Sequence, residues 1–154
     1  MSVSPVPAGY RNLTPYLVVD GAARAIAWYA DAFGAREVMR LDAPGGKIGH
    51  AEIDIGDSRI MLADANPAAG ARAPAAFGGS PVSLHLYVAD VDAAVTRAAQ
   101  AGATVKNQPE DKFYGDRMGT LVDPFGHTWH IATHIEDVPL DEIERRMAAM
   151  SGQG

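Results

Sequence analysis

A chain of 154 residues, nearly half of them apolar, is long enough to close a hydrophobic core without covalent staples. It has no cysteine, which excludes disulfides, thiolate metal ligands and cysteine nucleophiles and suits a reducing cytoplasm, the expected location. The formal charge of −6 without a basic run excludes a nucleic-acid binder, no apolar stretch reaches membrane-spanning length, and MSVSPVPAGYRN does not resemble a secretion signal.

In chain order, TPYLVVDGAARAIAWYADAFGA (14–35) predicts a strand, a capping Asp20, a helix and a terminal Gly34. Ile26, Tyr29, Ala30 and Phe33 form one helical stripe, and Trp28 and Tyr29 are candidates for core or dimer interface. Three strands follow, in AREVMRLD, KIGHAEIDIG and SRIMLAD. Residues 64–80, almost all Ala, Gly and Pro, predict a mobile linker, with Phe77 as a candidate cap over a binding cleft. VSLHLYVADVDAAVTRAAQAGA (82–103) again predicts strand, Asp90 cap, helix and Gly102. ATVKNQ, RMGTLVD and HTWHIATH predict three more strands, with DPFG as a turn. Beyond residue 135, Leu140, Ile143, Met147 and Met150 line one face of a terminal helix over about 139–150, packed on its own chain or on a dimer partner.

The chain is therefore written twice. Asp20 and Asp90 are 70 residues apart, Gly34 and Gly102 are 68, and Gly56 and Gly126 are 70. Each copy reads β-α-β-β-β, which makes the fold class α+β. The modules span about 12–64 and 81–135 within one domain over 1–154.

PYLVVDGAARAIAWYADAFGA, GHAEIDIGDSRIMLAD and YGDRMGTLVDPFGHTWHIATHIEDV resemble the vicinal oxygen chelate superfamily, which includes glyoxalase, bleomycin-resistance and extradiol dioxygenase proteins. They look like its PhnB-like branch, from about Thr14 to Val138. The resemblance implies a curved, open mixed sheet with helices outside and a concave cleft within. In metal-using members the cleft holds one divalent ion, a Lewis acid for a substrate that chelates it through adjacent oxygens. Family members commonly form homodimers, so a homodimer is expected, with or without exchanged modules.

The family's ligand positions carry over incompletely. The first-strand His, seven residues before the capping Asp, falls on Leu13 in the first module and on Ser83 in the second. His85 lies two positions beyond Ser83, on the same strand face. The fourth-strand position falls near Ile60 or Leu62, both apolar, and the last-strand position falls on His130. By alternation, Thr128, His130 and His134 point one way while Trp129 and Ile131 pack under the helices; His127 sits at the turn. In KIGHAEIDIG, Ala51, Ile53 and Ile55 would face the helices, leaving His50, Glu52 and Asp54 on the concave side. His50, Glu52, His85 and His130 could then hold zinc, iron, nickel or manganese, with Glu52 as ligand or general base. The same alternation also describes the wet face of an ordinary sheet.

Phe113 and Tyr114 could stack on a flat ligand, and Arg117 could grip a carboxylate or phosphonate; equally, Arg117 could pair with Asp116 or Glu110 to fix a loop. No GxSxG elbow or Walker loop is present. Two functions remain open. One is a metal-dependent lyase, isomerase or dioxygenase of the glyoxalase type. The other is a metal-free protein that sequesters a small molecule, such as an antibiotic, without chemistry.

Overall fold

The computed structural model describes residues 2–152. The chain divides after Gly79 into two compact units. In the first, β1 (Tyr16–Val19) leads into α1 (Ala22–Phe33), followed by β2 (Arg36–Ala43), β3 (Lys47–Ile55) and β4 (Ser58–Asp64). The sheet order is β1-β4-β3-β2, with β1 parallel to β4 and the other pairs antiparallel. The second unit repeats this plan with β5 (Ser83–Tyr87), α2 (Val91–Gln100), β6 (Thr104–Asp111), β7 (Asp116–Val122) and β8 (Thr128–His134), in the order β5-β8-β7-β6. It adds α3 (Leu140–Ser151). The doubled β-α-β-β-β reading and the α+β class are correct. Each unit carries its own open, four-stranded mixed sheet.

Period-two alternation builds the first core. Leu17 and Val19, then Ala51, Ile53 and Ile55, then Ile60 and Leu62 are buried, as are Ala22, Ala25, Ile26, Tyr29 and Ala32 of α1. Trp28 and Tyr29 belong to this core, with the Trp28 ring edge-on to Tyr29 and Phe33. Burial of side chains of this size stabilises by about 1.5–3 kcal/mol each. In the second unit, Val91, Val95 and Ala98 of α2 are buried, as are Leu121, Trp129 and Ile131 of the sheet. The Trp129 indole donates to Asp123 Oδ2 at 2.9 Å; Asp123 Oδ1 accepts from the backbone N–H of Phe125 and His127, which shapes the DPFG turn.

The two helices start differently. Asp90 caps α2 as expected, accepting from Ala93 N at 3.1 Å. Asp20 does not cap α1. Gly21, at φ 94°, occupies the cap position, and the acceptor comes from the far end of β4. Asp64 Oδ1 accepts from Gly21 N at 2.8 Å and Ala22 N at 3.0 Å, while Oδ2 accepts from Ile48 N at 2.8 Å. Burial pushes the Asp64 carboxyl up, but those three N–H groups and nearby Lys47 leave it below the usual carboxylate range. Asp64→Ala orphans three donors, so a loss of about 2 kcal/mol is expected in urea unfolding, against less than about 0.5 kcal/mol for Asp20→Ala. Equal losses would return the cap to Asp20. The helix ends at Gly34 as expected, with φ 69° and its N–H on Ala30 O.

The Ala/Gly/Pro segment is not structureless, contrary to expectation. It forms 3-10 turns at Pro67–Ala69 and Pro74–Phe77 and a bridge between Asn66 and Ala71; Ala73 and Pro74 are buried. Proline opens each turn, where its missing N–H is not needed. Phe77 is exposed. On α3, Leu140, Met147 and Met150 are exposed, and Arg146 ties the helix to Glu136 and to the Phe113 carbonyl. Among the described residues, no helix is long and apolar enough to cross a membrane.

Candidate functional site

In the first unit, His50 and Glu52 are two apart on β3 and share one face. Alternation alone makes that face wet, yet Glu52 is only 4% exposed. Its partners explain how a charge survives there. Oε1 accepts the Tyr10 hydroxyl, and Oε2 lies 2.8 Å from His50 Nε2. The Arg59 guanidinium stands 3.9 Å away. Burial pushes the Glu52 carboxyl up, but the bonds from His50 and Tyr10 and the charges of His50 and Arg59 hold it below the usual range. Arg59 is itself fixed by two bonds to Asp54, at 2.8 and 3.0 Å.

The line continues outward. His50 Nδ1 lies 2.8 Å from the Tyr16 hydroxyl on edge strand β1. In the neutral imidazole, an ionised Glu52 takes the proton-bearing Nε2, which leaves Nδ1 to accept from the Tyr16 hydroxyl. Burial and the Glu52 charge raise the Tyr16 phenol, which keeps it protonated. Tyr16 is half-exposed and forms part of the wall of a groove of about 590 Å³. Lys47, Gly49, Asn66, Pro67 and Ala71 contribute to the same wall.

In the second unit, His85 and His130 are register partners across the parallel β5–β8 pair, with ring centroids 6.1 Å apart. Thr120 Oγ1 lies 2.8 Å from His130 Nδ1. Burial, then the charge of His85, lowers the His130 imidazole below its usual value. Tyr87, two residues from His85, donates to Asp116 Oδ2 at 2.7 Å. Asp116, buried at 4%, also meets His134 Nδ1 at 2.7 Å. The edge strands β1 and β5 thus each present an exposed tyrosine anchored to a buried carboxylate, through an imidazole for Tyr16 and directly for Tyr87.

Of the four proposed metal ligands, His50 and Glu52 belong to the first unit and His85 and His130 to the second. His50 and Glu52 are bonded to each other, and His130 has one nitrogen on Thr120. Among the described residues, no group of three or more His, Asp and Glu is disposed to hold a metal ion. Leu13 is exposed, while Ile60 and Leu62 lie in the core; Arg59 and Met61 occupy the other face of β4.

Arg117 does pair with carboxylates, but not with Asp116 or Glu110. Its guanidinium bonds Asp92 at 2.8 and 2.9 Å and Asp111 at 3.0 Å. Phe113 and Tyr114 pack edge to face, and the Tyr114 hydroxyl points to Met118 Sδ. His134 is the last residue of β8, in register with Asp116, and its bonds to Asp116 and Asp137 raise its imidazole. The sequence reading missed Tyr10, Tyr16 and Arg59. Period two from Val18 could have found Tyr16; Tyr10, outside any periodic element, carries no such signal.

Residues 12–131 match the family model described as the Glyoxalase/Bleomycin resistance protein/Dioxygenase superfamily. Over its whole length the chain is 45% identical to the uncharacterized protein Mb0911c of Mycobacterium bovis, covering 99% of that protein. The crystal structure of TioX from Micromonospora sp. ML1 is similar with a TM-score of 0.63 at 28% identity, over 82% of this chain and all of that one. The PhnB protein from Bacillus cereus, at 17% identity and a TM-score of 0.63 over 80% of this chain and 99% of that one, shares the fold. The family match across most of the chain, on a doubled β-α-β-β-β frame, makes this protein a member of the glyoxalase/bleomycin resistance/dioxygenase superfamily.

Proposed function

We propose that this chain binds a small organic molecule in the groove of its first unit, and that binding needs no metal. One observation carries the reading: the Tyr16 hydroxyl at the groove wall is wired through His50 to the buried Glu52 carboxylate. That wiring points the Tyr16 hydroxyl proton at His50 and leaves the oxygen lone pairs for a ligand donor. Lys47 adds a cation for a carbonyl or carboxylate oxygen, and the prolines and alanines supply apolar wall. The cysteine-free composition fits a cytoplasmic protein, and the exposed apolar stripe of α3 fits a homodimer.

The test is a thermal-shift screen of small aromatic acids and amides, repeated with chelator. Stabilising compounds are expected to act equally with and without chelator. Tyr16→Phe should weaken them about tenfold, the worth of one hydrogen bond of this kind. Hits abolished by chelator, or indifferent to Tyr16→Phe, would defeat the reading.

A metal-dependent enzyme is the second reading, and the paired imidazoles of His85 and His130 favour it. It requires about one metal ion per chain in protein purified without a tag, lost in His130→Ala; the groove reading expects substoichiometric metal in both.

A further inference from the structure

Tyr10 precedes β1 and belongs to no strand or helix. Most residues around it are exposed, and its backbone makes one local bond, from Tyr10 N to Pro7 O at 3.1 Å. Its side chain is nevertheless specifically seated. The hydroxyl donates to Glu52 Oε1, and the Arg59 guanidinium carbon lies 4.7 Å from the ring centroid. The seat does not depend on its occupant. Asp54 holds the guanidinium with two bonds, and His50 holds the other carboxylate oxygen. An oxygen that only accepts hydrogen bonds, beside a cationic plane for a π face, describes a receptor for a neutral aryl alcohol. An aryl carboxylate would meet the Glu52 charge, and a plain arene would leave Oε1 desolvated without a donor.

We propose that Glu52 and Arg59 form a phenol-binding site, which Tyr10 fills as an internal stand-in, so that a phenolic ligand binds by displacing the segment around Tyr10. The site is separate from the Tyr16 groove, since it uses the other oxygen of Glu52 and neither Tyr16 nor Lys47. It therefore stands or falls apart from the groove reading.

The probe is p-cresol, titrated calorimetrically into the full chain, with p-toluate and toluene as comparisons. An internal competitor lowers apparent affinity by the fraction of time that it vacates the seat. Tyr10→Ala should therefore bind p-cresol about tenfold or more tightly than wild type, with no such gain for p-toluate or toluene. The gain should vanish in Tyr10→Ala/Glu52→Gln and persist in Tyr10→Ala/Tyr16→Phe. In the wild type, saturating p-cresol should speed tryptic cleavage after Arg11, next to the displaced tyrosine. If Tyr10→Ala does not fold, Tyr10→Phe, which keeps the ring without the hydroxyl, should show a smaller gain and decides the matter. No gain in the folded variant, an equal gain for toluene or p-toluate, or a cleavage rate indifferent to p-cresol would overturn the proposal.

Discussion

Gly115→Ala is expected to cost about 4 kcal/mol or more, a large share of the roughly 5–15 kcal/mol by which a domain is stable. Two effects combine at this position. Gly115 has φ 105°, a conformation that L side chains rarely adopt. In addition, a Cβ placed there would lie 2.1 Å from Glu136 O and 3.1 Å from Val138 Cγ2. The neighbouring backbone cannot easily retreat, because Ile135 N and Glu136 N both donate to Gly115 O, at 2.9 and 3.0 Å. Gly45→Ala separates the two effects: Gly45 has φ 80°, but an added methyl group would meet nothing within 4 Å, so only strain of about 1 kcal/mol remains. Urea unfolding followed by tryptophan fluorescence measures both. Similar midpoints for the two variants would show that the 134–138 segment yields, and that its contact with Gly115 is not a fixed part of the fold.

Glu52→Gln is expected to cost about 2–3 kcal/mol at pH 7. The amide keeps the shape but offers one acceptor where the carboxylate has two, so either Tyr10 or His50 loses its bond. Arg59 keeps Asp54, which limits the loss. The pH dependence tests the charge itself. The folded-state Glu52 carboxyl is depressed, so its contribution is complete above the ordinary glutamate range and is lost as pH falls through the lowered folded-state value. The gap between wild type and Glu52→Gln should therefore be widest near neutrality and should narrow on acidification below about pH 4. Asp54, Asp64 and Asp116 are depressed as well, so the variant keeps a residual acid sensitivity. A gap independent of pH would mean that Glu52 acts by shape and not by charge.

The fold was legible in the sequence because its signals are local. Alternation in KIGHAEIDIG separated Ala51, Ile53 and Ile55 from His50, Glu52 and Asp54, since neighbouring strand residues must point to opposite faces. Asp90 announced the start of α2 because its acceptor is used three residues away. Even the pairing of His85 with His130 was within reach, because parallel strands keep outward residues in register. The tertiary structure decided what depends on residues far apart in sequence. Asp64, not Asp20, caps α1 across 43 and 42 residues. Tyr10 reaches Glu52 across 42 residues, and Tyr16 reaches His50 across 34. Arg117 finds Asp92 across 25, in place of the acids beside it. Such partners are chosen by which side chains the sheet and its flanking segments bring within about 3 Å, and by the cost of leaving a buried charge unpaired. Neither quantity is written in the spacing of residues along the chain. Periodicity therefore determined the frame and the faces, while only the folded chain decided that the carboxylate on the wet face would be buried and paired with one tyrosine directly and with a second through His50.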